Sequence, residues 1–222
     1  MIEKHTYDFL VALKQNNTRE WFQANNSWYQ EAKNDFEQLV ASLISEINKF
    51  DPAIGQLKPR DCIFRIFRDV RFSKDKSPYK TNFGAYIVPG GKKLGLAGYY
   101  FHIEPGECFL AGGIWHPSPD ILKKLRKEIY ENIDEFLSIL HEKEFSKHFN
   151  KIYGEKLVNP PSGYPADFPH IDFLKYKDYN LYTEIPCQDL FTGKILEKAA
   201  ALYRIMYPFN RFINYGLTGK VQ

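Results

Sequence analysis

The hydrophobic period of this chain changes near residue 62, and that change limits the folds open to it. Before it, apolar residues recur at three- and four-residue steps: Phe9, Leu10 and Leu13, then Tyr29, Ala32, Phe36, Leu39, Val40, Leu43, Ile44 and Ile47. That spacing predicts amphipathic helices. Thr6 and Thr18 stand where helix caps belong, Asn16-Asn17 breaks the first helix, and Asp51-Pro52 ends a long one that starts near Trp28. Beyond the change the period is two. The candidate strands are Cys62–Phe67, Phe83–Val88, Leu94–Glu104 and Glu107–Trp115.

Turn chemistry then sets a register. Pro89-Gly90-Gly91 joins the second and third candidate strands, and Pro105-Gly106 the third and fourth. If the latter is a two-residue turn, Glu104 faces Glu107 and His102 faces Phe109. Tyr99, Phe101, Ile103, Cys108 and Leu110 then share the core side. Tyr100, His102, Glu104, Phe109 and Ala111 share the other, which Trp115 continues if the strand stays regular.

After the meander the period turns helical again. Ser118-Pro119-Asp120 reads as a helix start, followed by Leu122, Leu125 and Ile129, and Asn132 restarts a helix with Phe136, Leu137 and Leu140. Residues 153–187 read as an ordered loop with a short strand near Asn180–Ile185. A last helix from about Leu190 to Tyr207 is expected to stop at Pro208, with a short helical tail beyond. Helices, then a meander, then helices predict an α+β fold, a mainly antiparallel sheet covered by N- and C-terminal helices. We expect one domain: helices in 1–52, a sheet region in 60–116, and helices with an ordered loop in 117–222.

Charge is focused. Residues 58–80 hold eight Lys/Arg and three Asp, whereas the rest of the chain carries a slight negative excess within a total of +3. Such a site attracts anions although the whole is nearly neutral. Cys62, Cys108 and Cys187 are isolated and odd in number, so neither a disulfide framework nor a zinc knuckle is expected. No apolar run approaches the ~18–20 residues of a membrane span. A cytoplasmic protein with no membrane association is the expectation; the oligomeric state is open.

The run Phe64-Arg-Ile-Phe-Arg-Asp-Val-Arg-Phe-Ser-Lys-Asp-Lys-Ser-Pro-Tyr-Lys-Thr-Asn82 carries a resemblance. Taken with Asn17-Thr-Arg-Glu-Trp-Phe22 and Gly98-Tyr-Tyr-Phe-His-Ile-Glu-Pro-Gly106, it resembles a bacterial domain family of unknown function, found also within larger fungal proteins. That family is marked by R-x-x-R-D-x-R-F, then a lysine and a tyrosine; the matching positions are Arg65, Arg68, Asp69, Arg71, Phe72, Lys76 and Tyr79. The resemblance covers nearly the whole chain and implies no reaction.

Strand alternation sends Arg65, Asp69 and Arg71 one way and Arg68 the other, among Phe64, Ile66, Val70 and Phe72. An unpaired buried guanidinium costs several kcal/mol, so Arg68 needs a bend in the strand or a distant carboxylate such as Glu104. A bend lets Arg65, Arg68 and Arg71 converge on a phosphate or carboxylate, with Lys74, Lys76 and Lys80 adding charge and Tyr79 and Tyr100 adding donors or stacking faces. His102 and Glu104, two apart on one strand face, suit a general acid–base pair or two metal ligands; no metal and no cofactor is assigned. Trp21 and Trp28 read as core, while Trp115 lies near the suspected site.

Three readings follow. The first is a pocket for a phosphorylated or carboxylated small molecule, lined by Arg65, Arg68, Asp69, Arg71, Lys76, Tyr79, Lys80, Tyr100 and Trp115, with His102 and Glu104 catalytic if chemistry occurs. The second is a module that binds nucleic acid or an acidic partner through the 65–80 surface. The third is an Arg–Asp–Glu network that only locks the N-terminal helix onto the sheet.

Overall fold

One carboxylate organises the N-terminus. Asp35 accepts from the Glu3 backbone N–H at 2.9 Å and from the Thr6 hydroxyl at 2.6 Å. The first helix, α1 (Lys4–Gln15), therefore begins two residues before Thr6, which is buried inside it and not its cap. Thr18 does cap α2 (Arg19–Ala24), accepting from the Trp21 N–H, and α3 (Asn26–Asn48) follows. The structure is a computed structural model that describes residues 1–219.

Besides short 3-10 helices at Pro52–Ile54 and Cys187–Phe191, the remaining elements of the described residues are α4 (Pro59–Cys62), β1 (Phe83–Ile87), β2 (Gly98–Glu104), β3 (Glu107–Ile114), α5 (Pro119–Glu131), α6 (Ile133–His141), α7 (Lys143–His148), α8 (Ile171–Leu174), β4 (Tyr179–Glu184) and α9 (Ile195–Thr218). The four strands form one antiparallel sheet in the order β1-β2-β3-β4. The architecture is α+β, as the change of period implies. Glu104 pairs with Glu107 and His102 with Phe109, the register of a two-residue Pro105-Gly106 turn. Leu94 and its neighbours stay out of β2, because Ala97 is instead claimed by a side chain of α9.

Helices cover the core face of the sheet. Phe9 of α1 and Phe36 of α3 stack on Phe83 of β1, with centroids 6.3 and 5.3 Å away. The Tyr203 hydroxyl of α9 donates to the Tyr100 carbonyl at 2.8 Å. Two asparagines one helical turn apart complete the docking. Asn210 donates to the Gly98 carbonyl at 3.0 Å and accepts from the Gly113 N–H at 2.8 Å. Asn214 does the same to both backbone groups of Ala97. Each amide imitates a neighbouring strand where β2 and β3 run out, so buried peptide groups keep partners.

That docking explains why α9 does not stop at Pro208 but runs through it to Thr218. Met206, Phe209, Asn210, Phe212, Ile213 and Asn214 are all buried on both sides of the proline. Their packing outweighs the loss of one backbone hydrogen bond.

Two further expectations fail. Cys62–Phe67 is not a strand: α4 takes Cys62, and only Ile63 and Phe67 form isolated bridges, to Ala85 and Tyr79. The chain leaves the sheet edge and closes on itself, through Arg68 N–H to Pro78 carbonyl at 3.0 Å and Lys80 N–H to Ile66 carbonyl at 2.7 Å. Residues 68–78 thus project as a loop in which Arg68 finds polar partners. Cys108 and Cys187 are disulfide-bonded, their Cα atoms 5.5 Å apart, because the hydrogen bond from Ile185 N–H to the Cys108 carbonyl brings the segment after β4 beside β3. Sequence separation of 79 residues hid that proximity. Among the described residues no helix is long and apolar enough to cross a membrane.

Candidate functional site

Strand alternation puts two rows of side chains on the sheet face opposite the core. Gly84, His102, Phe109 and Glu184 lie side by side across the four strands, and Tyr86, Tyr100, Ala111 and Tyr182 form the next row. Phe64 borders this face beside Tyr100, at 6.1 Å between rings, and Tyr153 borders it beside Tyr182 at 5.4 Å.

The centre of the face is a chain of three β2 residues. His102 is buried and stacks on Phe109, centroids 4.4 Å apart and planes 14° from parallel. Its Nδ1 lies 2.9 Å from the Tyr100 hydroxyl. Among the described residues its buried Nε2 has no hydrogen-bond partner and lies 3.6 Å from Glu104 Oε2. Burial lowers the imidazole pKa, and the Glu104 charge offsets this only in part. Burial, reinforced by Glu104, raises the Tyr100 hydroxyl to about 12. Burial works against the Glu104 charge too, yet hydrogen bonds from Thr81 at 2.7 Å and Lys14 at 3.3 Å hold that carboxyl below its usual range. At neutral pH the arrangement is a phenol, a neutral imidazole and a carboxylate in line, which suits proton transfer.

Gly84 makes room for this chain. A Cβ there would stand 2.5 Å from the Tyr100 hydroxyl oxygen, so Tyr100 lies over β1 with its hydroxyl against His102.

Two lysines gather at the β1 edge, within reach of the Arg65 charge. Lys80 Nζ is 5.4 Å and Lys92 Nζ 4.8 Å from the centre of the Phe64 ring. Both are half-buried, and burial lowers their pKa values. The Arg65 charge lowers Lys80 further, and the Lys80 charge lowers Lys92. Lys92 donates to the Ile63 carbonyl at 2.7 Å. Carboxylates reach the group only through space, Asp69 from Arg65 and Asp61 from Lys92. Among the described residues none of the three forms a salt bridge.

The other two motif arginines are occupied. Arg68 pairs with Asp75 and approaches Ser73 at 3.4 Å; Glu104 is not its partner. Arg71 grips Asp69 with two hydrogen bonds of 2.9 and 2.7 Å at an exposed position. The structure therefore does not bring Arg65, Arg68 and Arg71 together on one anion. These pairs fold the loop and do not lock a helix. The ties from α1 include Lys14 to Glu104 and, just past its end, Asn17, whose amide bonds both backbone groups of Tyr79 at 2.9 and 3.1 Å.

Tyr79 is buried and stacks on Phe22 at 3.9 Å, so it anchors the loop. Lys76 donates to the Val70 carbonyl within the loop at 3.0 Å. Trp115 follows the end of β3, is 73% exposed and contacts His116, whose backbone is left-handed at φ 48°. Gly113, also at positive φ, ends the regular alternation that would have carried Trp115 onto the face.

Lys92, Thr81, Lys14 and Phe64 complete the site and were not singled out from the sequence. Only pairing and loop closure bring them together. Among the described residues no group of three His, Cys, Asp or Glu is placed to hold a metal ion. A groove of about 520 Å³ lined by Pro52, Ala53, Pro89, Gly90, Leu94 and Leu96 shares no residue with the face and has no titratable lining.

The lowered His102 pKa has a thermodynamic consequence. An unfolded histidine titrates near ~6.5, and the folded imidazole holds its proton less tightly. Stability is therefore full above that value and declines as pH falls through it towards the folded pKa. Glu104, whose pKa is also lowered, adds a separate loss only as pH falls below ~4.3. Urea midpoints between pH 7.5 and 5 are expected to fall in the wild type and to flatten in His102→Gln; parallel curves for the two proteins would contradict this assignment.

Searches of curated proteins and of solved structures give no match. Residues 5–212 match the family described as Conserved hypothetical protein (DUF2461). The match runs from α1 into the second half of α9 and so includes every side chain of the open face; the chain belongs to the DUF2461 family.

Proposed function

We propose that the open sheet face binds a phosphorylated or carboxylated small molecule. The observation that carries this reading is the placing of Lys80 and Lys92 over Phe64, with the Arg65 charge reaching Lys80 and none of the three in a salt bridge among the described residues, next to the Tyr100–His102–Glu104 chain. Holding Lys80 and Lys92 together, half out of water, costs free energy that an anion would recover. Arg65 offers a two-pronged grip and the lysines point charges. His102 and Glu104 would move a proton to or from a group seated beside the anion, with Tyr100 fixing the imidazole.

The same face argues against a polynucleotide. Glu104, Glu107 and Glu184 stand at the turn end of the rows, where a second phosphate would have to lie. Arg68 and Arg71 are already matched by Asp75 and Asp69.

The test is calorimetric titration at low salt with inorganic pyrophosphate, ribose 5-phosphate and citrate, using wild type, Lys80→Ala/Lys92→Ala and, as control, Lys74→Ala. Binding by the wild type and the control, weakened at least about tenfold in the double variant, is expected. Equal binding by all three proteins, or no binding to any probe, would sink the proposal.

A further inference from the structure

The cations occupy one margin of the face, and a second feature lies beyond them. Because Tyr100 leans onto Gly84, it leaves Ala111 half-buried between Tyr100 and Tyr182 on the flanking strands. Strands two apart stand ~9.5 Å from each other, and a flat ring in van der Waals contact on both sides takes about 7–8 Å. Phe109 closes the slot on one side, 5.7 Å from the Tyr100 ring and 4.9 Å from the Tyr182 ring. Phe64 and Tyr100 connect the slot to the lysines, so aromatic surface is continuous from the cations to Tyr182.

The far margin has the opposite charge. Glu184 is exposed, lies beside Phe109 across the strands, and accepts from the Tyr182 hydroxyl at 3.4 Å. The Glu107 charge reaches both Tyr182 and His102. A ligand crossing this face meets cations, then stacking surface, then hydrogen-bond acceptors.

We infer that the slot over Ala111 takes the planar ring of a ligand whose anionic group sits at Arg65, Lys80 and Lys92. The ligand class is a nucleoside 5′-monophosphate or a molecule of the same plan: a phosphate, a spacer the size of a sugar, and a flat ring with N–H donors turned to Glu184. This inference rests on the anion reading above and narrows it. Stacking between aromatic faces supplies affinity for the ring, and the carboxylates favour a ring with donors over one with acceptors only. The acidic margin selects a single nucleotide over a strand.

The experiment compares adenosine 5′-monophosphate with ribose 5-phosphate by calorimetry on wild type, Tyr182→Ala and Ala111→Leu, with folding of each variant checked by circular dichroism. The ring is expected to add about tenfold to wild-type affinity. Tyr182→Ala should remove most of that margin and leave ribose 5-phosphate binding unchanged. Ala111→Leu, which fills the slot without touching a charge, should do the same. If the two probes bind wild type equally, or the margin persists in both variants, the ring slot is wrong while the anion reading stands. If neither probe binds, both readings fall. An oligoadenylate that outbinds the monophosphate would overturn the inference in favour of a strand-binding surface.

Discussion

Replacing Asn210 with leucine should lower the stability of the protein by about 2–5 kcal/mol, because it strands two buried backbone groups at once. The Gly113 N–H and the Gly98 carbonyl each have their partner in the Asn210 amide, at 2.8 and 3.0 Å, and the side chain is buried. For a chain of this size the loss corresponds to a fall in melting temperature of roughly 5–15 °C. Leucine fills a similar volume, so the effect reports the hydrogen bonds and not a cavity. Asn17→Leu is the informative comparison. It removes a similar clamp, but from the margin of the fold, where Tyr79 keeps its stacking on Phe22. A loss for Asn210→Leu no larger than for Asn17→Leu would contradict the docking described for α9.

Gly84→Ala should have the largest effect on the site for the smallest change in mass. Its Cβ would sit 2.5 Å from the Tyr100 hydroxyl oxygen and 3.1 Å from two carbons of the same ring, so the ring must move. The space it would move into is the slot above Ala111, and the move breaks the contact with His102 Nδ1. Overpacking of this kind costs about 1–3 kcal/mol. Two consequences are separable: the stability loss, read from urea unfolding, and a shift of the His102 ring resonances in its NMR titration towards those of a free histidine. Unchanged His102 resonances in Gly84→Ala would show that Tyr100 does not set the imidazole.

These residues also show how far the sequence is readable. The alternation of Tyr99 to Glu104 with the Pro105-Gly106 turn dictates one register, and the structure has it. Local patterning is enough there, because a slip of one residue would expose Tyr99, Phe101 and Ile103. The final helix is the opposite case. Pro208 is a local stop signal, overridden by Asn210 and Asn214 reaching backbone groups about a hundred residues away. The cysteine pair fails for the same reason.

The arginine run is instructive in another way. Its density of positive charge is plain in the sequence, but Asp69 and Asp75 lie within the same loop and take Arg71 and Arg68. Short-range pairing wins because closing a small loop costs little entropy. At the Phe64 margin the cations without salt bridges among the described residues are Arg65 from the motif, Lys80, and Lys92 from a different loop. Lys92 follows the Pro89-Gly90-Gly91 loop and has no local signature of a site. What identifies it is its position over Phe64, which only the folded chain supplies.

Soaking crystals of the protein with tungstate, and locating it by its anomalous scattering, tests most directly where this molecule accepts negative charge. A peak in contact with Arg65, Lys80 and Lys92, at the Phe64–Tyr100 margin of the sheet, is expected. A peak confined to the 68–76 loop, at Arg68 or Arg71, would contradict it, as would crystals in which the three cations are reachable by solvent and no anion is bound.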